Sequence, residues 1–288
     1  MNIKSSSSHK SQEPENSFLY IVGTPIGNLG DLSLRALNIL KNVSLIACED
    51  TRQTKKIMVK YDFTNSLISF NKHNFQKKTS KIINELHSGK SVALVSDAGM
   101  PSICDPGEEL IKEARTNGIK IICIPGPCAA LTALVKSGFP SSKFIFEGFL
   151  PKRKSDRKKI ILEIRKYEKT TILFESPNRL KNLLFELREC FGGEREIQVF
   201  RELTKKFEQQ IGSTINEVID YFEGKEVLGE ITLVIKGKDK STKNSEIDSY
   251  KLKRDLHDLT KAGLTLSAAS KYLAKKNNLT KSKVYKMY

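Results

Sequence analysis

The feature that most constrains this chain is an alternation of short apolar runs and helix-like segments between residues 18 and 136. Each apolar run has the length of a buried strand, and each following segment spaces its apolar residues three or four positions apart. Near-continuous apolar strands alternating with helices predict a mostly parallel sheet covered on both faces. Asp31 is predicted to cap the first helix. The predicted strands are residues 19–22, 44–48, 67–70, 91–96 and 119–124.

Phe139 and Pro140 mark the end of this first domain. The second half is less regular, with strand-like runs and helices that predict a mixed sheet. Beyond it, three short helical segments separated by turns predict a small helix-turn-helix-like module. We therefore expect an α/β fold of two domains plus this module. The predicted units are a disordered leader (1–17), an N-terminal α/β domain (18–140), a second α/β domain (141–237), a linker (238–249) and a basic helical module (250–288).

Composition excludes several classes of protein. No window holds the ~18 uninterrupted apolar residues that a membrane span needs, and the first 17 residues lack the apolar core of a secretory signal. The five cysteines form no Cys-x-x-Cys pair and the four histidines are scattered, so no metal site is predicted. Reduced thiols and a missing signal favour a cytoplasmic protein.

The net charge of +16 is unevenly distributed. Residues 236–288 hold 14 Lys and Arg against five Asp and Glu, and residues 151–169 hold nine against three. Charge concentrated in two short stretches indicates a polyanionic partner, and nucleic acid is the usual one. A lysine-rich solubilising surface would give the same counts, and the charge alone does not separate the two interpretations.

Two familiar nucleotide-binding motifs fail on spacing. Gly89-Lys90-Ser91 resembles the end of a phosphate-binding P-loop, but Asn84 occupies the position of the first glycine and the triplet precedes a strand. The glycines at 23, 27 and 30 follow a strand but do not have the dinucleotide spacing.

Three loops instead follow predicted parallel strands, at residues 23–28, 96–107 and 125–130. Ligands of open α/β sheets bind at the carboxyl ends of the strands, where these loops should gather. Small residues permit close approach to the backbone, prolines fix its path, and Asp97 can accept hydrogen bonds from a ligand. Any one of these loops could be only a tight turn; three at one sheet edge favour a binding site.

These motifs resemble the ribosomal RNA small subunit methyltransferase I family of the tetrapyrrole methylase superfamily. The resemblance runs from about Phe18 to Gly237, and the basic helical tail is also similar. The stretches that carry it are Val22 to Asp31, Cys48 to Arg52, Asp97 to Gly107, Pro125 to Ala130, Glu147 to Pro151, Phe174 to Ser176, Arg201 to Lys205 and Gly229-Glu230.

The resemblance implies S-adenosylmethionine bound between two α/β domains, a homodimer, and 2′-O-methylation of a cytidine in the 16S rRNA of the small ribosomal subunit. The predicted RNA-binding residues are Lys152, Arg153, Lys154 and Arg179. The cofactor-binding residues that the resemblance implies are Pro25, Asp97, Ala98, Gly99, Ile103, Cys128, Ala129 and Glu175.

Three positions depart from the family pattern. Met100 stands where Thr is usual, Lys72 where an acidic residue is usual, and Asn178 where His is usual. Asn178 is therefore not expected to act as a base. Met100 leaves the loop backbone intact, and Lys72 could contact phosphate or could simply be exposed.

The ribose hydroxyl is a poor nucleophile at neutral pH, so a proton acceptor should assist it. We predict Asp50 and Glu175 as cleft carboxylates and His73 as an assisting group, with Glu49 a weaker choice. Alternatives remain for each of the three: Arg52 could hold Asp50 in a structural ion pair, Glu175 could be occupied by the cofactor, and His73 could be a surface residue that caps a helix.

Two other functions share part of this pattern. A tetrapyrrole C-methyltransferase would have the same fold and cofactor, but it would gain nothing from the two basic stretches. A nucleic-acid-binding regulator would explain the basic tail, but not three pocket loops. The sequence therefore favours an RNA methyltransferase.

Overall fold

The computed structural model describes residues 13–238, 249–277 and 279–288. Most of the predicted leader and linker lies outside these ranges. Residues 13–17 lie against the first domain: the Glu15 N–H donates to the Tyr20 hydroxyl at 2.8 Å, and Asn38 Nδ2 donates to Glu13 Oε1 at 3.1 Å.

The first domain contains a five-stranded sheet in the order β3-β2-β4-β1-β5. All its neighbouring strands are parallel, which confirms the prediction from the apolar runs. Because the strands share one direction, the loops that follow them meet at one edge. The strands are β1 (Phe18–Val22), β2 (Leu45–Cys48), β3 (Leu67–Ser69), β4 (Val92–Val95) and β5 (Lys120–Ile124).

Helices cover both faces of this sheet, with α1 and α2 packing on one face and α3 and α4 on the other. The first helix does not begin at Asp31. Asp31 closes a 3-10 turn, and Ser33 caps α1 by accepting from the Ala36 N–H. The helices are α1 (Leu34–Asn42), α2 (Thr51–Lys60), α3 (Phe75–His87), α4 (Glu108–Thr116) and α5 (Ala129–Ser137).

The second domain has a five-stranded sheet in the order β6-β7-β10-β8-β9. β6 and β7 are parallel and the other pairs are antiparallel, so the predicted mixed sheet is confirmed. The short strand β9 was not predicted. The elements are β6 (Phe144–Phe149), α6 (Lys154–Ile164), β7 (Thr170–Glu175), α7 (Pro177–Phe191), β8 (Ile197–Arg201), β9 (Gln209–Ile211), α8 (Ile215–Phe222) and β10 (Ile231–Ile235).

The two domains share an apolar cluster built around α5. Its buried residues include Ala133 and Leu134 from α5 with Ile172, Phe200 and Val234 from the second sheet. Because these apolar side chains are buried between the domains, they stabilise the arrangement of the two domains. The cleft above the cluster is therefore bounded by both domains.

The tail forms a three-helix unit with an apolar cluster of its own. Thr265 and Thr280 cap its second and third helices by accepting backbone N–H groups. The third helix ends at Tyr285, before the last residue of the predicted module. No helix among the described residues is long and apolar enough to cross a membrane. The tail helices are α9 (Ser249–Lys261), α10 (Leu266–Lys276) and α11 (Lys281–Tyr285).

Candidate active site

The loops that follow β1 and β5 touch each other through two glycines. A Cβ atom on Gly126 would lie 2.8 Å from Gly23 Cα, and one on Gly23 would lie 2.6 Å from Met100 Sδ. Real Cβ atoms do not approach this closely, so the contact requires glycine at both positions. The two loops are consequently held at backbone contact.

The loop after β4 is fastened to the loop after β1 by a pair of backbone hydrogen bonds. The Thr24 N–H donates to the Gly99 carbonyl at 2.9 Å, and the Gly99 N–H donates back to Thr24 at 3.1 Å. The buried Thr24 hydroxyl also donates to the Ser96 carbonyl at 3.1 Å. All three predicted binding loops thus form one preassembled surface.

The loop after β4 stores backbone strain. Ser102 and Cys104 have φ values of 70° and 67°, in a region that residues with a side chain rarely occupy. The buried Ser102 Oγ has no hydrogen-bond partner among the described residues. Strained residues of this kind cluster at ligand sites, where the surrounding structure holds them in place.

Several predicted cofactor residues face the second domain. Ala98, Cys128 and Ala129 pack partly buried into the interdomain cluster, beside Phe146 and Phe174. A Cβ atom on Gly148, in β6, would lie 2.9 Å from Cys104 Sγ, so the second domain closes over this loop. Pro25 is buried in the floor of the cleft, and Ile103 is exposed.

This cleft fits S-adenosylmethionine. It offers partly buried apolar side chains, the exposed Asp97 and the Ser102 hydroxyl, which has no partner among the described residues. A carboxylate suits the ammonium or ribose hydroxyl groups of such a ligand.

A segment of the second domain, residues 201–208, crosses to the first binding loop; we name it the strap. Thr204 Oγ1 accepts from the Asn28 N–H at 3.1 Å, and the Lys205 side chain covers Gly27. Glu202 and Thr204 have φ values of 55° and 65°. The strap therefore holds two strained residues against the loop that follows β1.

Five charged residues hold the strap in shape. Lys205 Nζ lies 2.8 Å from Glu202 Oε1 and 3.2 Å from Glu230 Oε2. At the far end, Glu208 accepts from the Thr204 N–H at 2.7 Å and pairs with Lys136 of α5. The sequence matched this segment to a family motif but gave it no role, because positive φ values at Glu and Thr leave no mark in sequence.

Beside the cofactor loops lies a cavity of about 450 Å³ at the carboxyl ends of β2, β3 and β4. Asp97 lines this cavity and also belongs to the loop after β4. The cavity therefore adjoins the predicted cofactor site. It is lined by Glu49, Asp50, Thr51, Arg52, Ser69, Asn71, Lys72, His73 and Asp97.

Arg52 engages both carboxylate oxygens of Asp50. Its Nε lies 3.0 Å from each oxygen, its Nη2 lies 2.6 Å from Oδ2, and its backbone N–H also donates to Oδ1. These hydrogen bonds lower the pKa of Asp50 to about 2. Asp50 lies in the predicted cleft, but it is a weak proton acceptor in this state.

Three other carboxylates near the cavity have pKa values shifted the opposite way. Burial raises the pKa of Glu49, and the charges of Asp105 and Asp97 raise it further. Burial is also the main cause of the raised pKa values of Asp97 and Asp105. The Lys72 ammonium partly offsets the shifts at Glu49 and Asp105.

The other predicted proton acceptors lie apart from each other. His73 is exposed at the cavity rim, and its backbone N–H donates to Asn71 Oδ1 at 3.0 Å. Glu175 does not line the cavity. Side chains alternate between the two faces of a strand, so Glu175 lies on the same face of β7 as Leu173, which packs among the second-domain helices. Phe174 lies on the other face, towards the first domain.

Glu175 belongs to a charged network behind the cleft. It is 3% exposed, and its Oε1 accepts from the Ser176 N–H at 2.7 Å. Its Oε2 has no hydrogen bond from any residue that the structure describes, but it lies 3.3 Å from Arg179 Nη2. The structure thus brings Asp50, His73 and Asp97 together and leaves Glu175 outside this group.

The basic segment after β6 is exposed but held at its base. Lys152, Arg153 and Lys154 are exposed. Arg179 Nη2 donates to the Leu150 carbonyl at 2.9 Å, and Arg157 donates to the Pro151 and Lys152 carbonyls.

Glu186 accepts two 2.7 Å hydrogen bonds from Arg157 and so fixes its orientation. Arg179 is half-buried and committed to the same loop backbone, so its contribution to RNA binding would be to present the segment. No pattern in the sequence indicated these carbonyl contacts.

Comparison with known proteins agrees with this geometry. Residues 18–219 match the family of tetrapyrrole (corrin/porphyrin) methylases. Ribosomal RNA small subunit methyltransferase I of Bacillus subtilis is 42% identical over 277 residues, 94% of this chain and 93% of that protein. The protein of the same name from Thermotoga maritima is 46% identical over 221 residues, 77% of this chain and 99% of that protein.

Solved structures show the same fold at lower identity. Cobalt precorrin-4 methyltransferase, a cobalamin biosynthetic enzyme, matches with a TM-score of 0.61 at 15% identity, over 76% of this chain and 95% of that one. Uroporphyrin-III C-methyltransferase of Thermus thermophilus, complexed with S-adenosylhomocysteine, matches with a TM-score of 0.55 at 16% identity, over 76% and 97%. These structures support the fold alone.

Proposed function

Because the chain belongs to the ribosomal RNA small subunit methyltransferase I family of the tetrapyrrole methylases, we propose that it methylates a cytidine ribose 2′-hydroxyl in the 16S rRNA of the small ribosomal subunit. It is an S-adenosylmethionine-dependent methyltransferase. The observation that carries the proposal is identity to named relatives over nearly the whole chain. Ribosomes are assembled in the cytoplasm of bacteria, and we place the activity there.

S-adenosylmethionine, when bound, supplies an electrophilic methyl group, and its sulfonium charge disappears as the methyl leaves. A carboxylate placed against the sulfonium would stabilise the bound ligand rather than the transition state. The rate advantage should come mainly from alignment, which can supply ~7–11 kcal/mol. The fastened loops around Gly23, Gly99 and Gly126 are suited to this task, because their backbone is already fixed.

The RNA-binding surface that we propose combines an aromatic side chain with cations. Phe149 is 55% exposed at the end of β6, and its ring lies 5.6 Å from that of Phe174. Lys152, Arg153 and Lys154 follow it on the exposed loop. Aromatic platforms beside Lys and Arg bind unpaired nucleotides through stacking and phosphate contacts.

We assign the tail a supporting role in RNA binding. Tyr272, Tyr285 and Tyr288 are exposed among lysines such as Lys275 and Lys286. An alignment of 221 residues, 77% of this chain, covers 99% of the Thermotoga maritima relative. A family member therefore exists that is shorter than this chain and lacks counterparts of some of its residues. The tail would then add affinity rather than chemistry.

A homodimer is part of the proposal. Leu131 and Val135 lie four residues apart on α5, and Val135 is 79% exposed. The Lys136–Glu208 ion pair brings exposed Phe207 towards them, which makes an apolar patch across the two domains. Exposed patches of this type mark protein interfaces. Val135→Glu should shift the sedimentation coefficient from dimer towards monomer, and an unchanged value would remove this patch as the interface.

The proposed function is tested by offering the protein two methyl acceptors. With methyl-labelled S-adenosylmethionine, we expect label in small ribosomal subunits that lack the modification and none in a porphyrinoid. Label in the porphyrinoid alone would instead support the tetrapyrrole C-methyltransferase. Calorimetry with the cofactor separates both enzymes from a non-enzymatic regulator, which would bind none.

A further inference from the structure

We propose that Glu49, rather than its neighbour Asp50, accepts the proton of the ribose 2′-hydroxyl. The inference deepens the proposed function and rests on it. The carboxylates in the cavity beside the cofactor loops differ in whether they already accept hydrogen bonds, and this difference decides which of them is free to take a proton.

The three carboxylates that line the cavity differ in their hydrogen bonds. Both oxygens of Asp50 are engaged by Arg52, and Asp97 Oδ1 accepts from the Asp50 N–H at 2.9 Å. Within the described part of the chain, the Glu49 carboxylate accepts no hydrogen bond, although the residue is half-buried. A proton can therefore reach Glu49 without breaking an existing interaction.

The charges around Glu49 suit a proton acceptor. The groups that face it are Asp105 and Asp97 from the loop after β4, Asp50 from its own loop, and Lys72 from the loop after β3. Burial and these three acids raise its pKa, whereas Arg52 holds the pKa of Asp50 at about 2. A carboxylate with a higher pKa is a stronger base, as long as it stays ionised at the working pH.

Lys72 gives this chain a local counter-charge. Its ammonium lowers the pKa of both Glu49 and Asp105. Because the cavity already contains several acids, a further carboxylate at this position would favour protonated Glu49. Lys72 acts as a positioning residue that keeps Glu49 ionised.

The 2′-oxygen forms a bond to the methyl carbon while the carbon–sulfur bond breaks, and the sulfur keeps the electron pair. The hydroxyl proton passes to a Glu49 carboxylate oxygen, and from there to water when the product leaves. No metal ion or oxidant is needed.

The test compares Glu49→Gln with Glu85→Gln, which removes a carboxylate from the surface helix α3. Single-turnover methylation of small ribosomal subunits is followed across pH with cofactor and RNA saturating. We expect Glu49→Gln to lower the chemical rate by ~10²–10⁴-fold while both dissociation constants stay near the parent values. Glu85→Gln should match the parent throughout. A Glu49→Gln rate within a few-fold of the parent would overturn the assignment.

A second readout does not depend on turnover. Titration of ¹³C-labelled glutamate by NMR should give Glu49 a pKa above the ordinary value of ~4.3, and Lys72→Met should raise it further. The pH-rate profile of Lys72→Met should shift in the same direction by the same amount. If the pKa of Glu49 is the same in Lys72→Met as in the parent, the proposed role of the lysine is overturned. A parent protein that methylates no ribosomal subunit would overturn the proposed function instead.

Discussion

The Asp50 backbone N–H donates a 2.9 Å hydrogen bond to Asp97 Oδ1, which joins the loop after β2 to the loop after β4. The first loop carries Glu49 and the second carries the predicted cofactor contacts. A methyl donor bound on the second loop and a hydroxyl deprotonated on the first would thus be held by two loops that are hydrogen-bonded to each other. If Glu49 is the proton acceptor that we propose, alignment and proton removal would be coupled through this contact.

Asp97→Asn should weaken cofactor binding with little effect on the fold. The asparagine keeps an oxygen that can accept from the Asp50 N–H, so the substitution removes mainly the charge. A charged hydrogen bond to the ligand is worth about 1.5–3 kcal/mol, which corresponds to roughly 10- to 150-fold in the dissociation constant. Calorimetry with S-adenosylmethionine measures the change.

The matched control for this prediction is Asp62→Asn, on an exposed residue that follows α2. It should leave affinity unchanged. A well-folded Asp97→Asn protein with parent affinity would remove Asp97 from the cofactor site.

Thr204→Val should loosen the strap. The substitution keeps the shape of the side chain but removes the acceptor of the Asn28 N–H. One hydrogen bond of ~0.5–1.5 kcal/mol predicts a roughly 2- to 10-fold weaker binding of cofactor, because the loop after β1 is then less firmly placed. Hydrogen exchange of the Asn28 amide should accelerate, and Thr204→Ser should restore both properties. Parent exchange at Asn28 in Thr204→Val would show that the strap does not hold this loop.

The acids around the cavity should reduce stability at neutral pH. The folded-state pKa values of Glu49, Asp97 and Asp105 are raised, so the folded protein binds these protons more tightly than the unfolded chain. The free energy of unfolding therefore falls as pH rises through the folded-state pKa values. Glu49→Gln should raise the Tm of the ligand-free protein at pH 7, and the gain should vanish below about pH 4.

Glu85 provides a control of opposite sign. Its pKa is lowered by a hydrogen bond from Lys90, so its ionised form favours the folded state above the unfolded-state pKa. Glu85→Gln should therefore leave the Tm at pH 7 equal to or below that of the parent. A Glu49→Gln protein less stable than the parent at pH 7 would contradict the electrostatic account of the cavity.

Replacing Lys152, Arg153 and Lys154 together by alanine should weaken RNA binding and flatten its salt dependence. Each phosphate contact to a single strand contributes about −0.7 to the slope of log K against log salt. Three lost contacts should therefore change the slope by about 2. The measurement is RNA affinity between about 50 and 200 mM salt.

The control for this prediction replaces Lys112, Arg115 and Lys120, which are exposed on α4 and at the start of β5. It removes the same charge and should leave the slope unchanged. A protein without residues 249–288 should show a smaller slope than the parent with intact cofactor binding. Equal slopes for the truncated and full chains would make the tail a structural unit only.

The sequence was most informative where burial sets the pattern. Short continuous apolar runs such as Val92–Val95, alternating with helix-like segments, favour strands covered on both faces, so the parallel sheet could be predicted. The strand Gln209–Ile211 was missed because three residues, two of them Gln, carry no period. The first helix was started at Asp31 because Asp and Ser both cap helices, and only the backbone path selects Ser33.

The candidate site was predicted in part. Loops after parallel strands must meet at one edge, so the grouping of Asp50, His73 and Asp97 could be foreseen. Glu175 could not be placed from the sequence, because the face of the sheet on which the last residue of a strand lies depends on how the sheet packs against its neighbours. The sequence offered an Arg52–Asp50 ion pair as one alternative, and the structure has it. Glu49 was the weaker choice because its lack of a hydrogen-bond partner depends on side-chain conformations that no sequence pattern shows.

Identifying the methylated nucleoside tests whether the protein methylates a cytidine 2′-hydroxyl in small-subunit RNA. Small-subunit RNA treated with the protein and S-adenosylmethionine is digested to nucleosides and analysed by mass spectrometry, while a second portion is hydrolysed with alkali. Alkaline cleavage requires a free 2′-hydroxyl, so 2′-O-methylation leaves one resistant linkage. We predict one 2′-O-methylcytidine per subunit and one resistant dinucleotide. A methyl group on a base, with every linkage cleaved, would contradict the account.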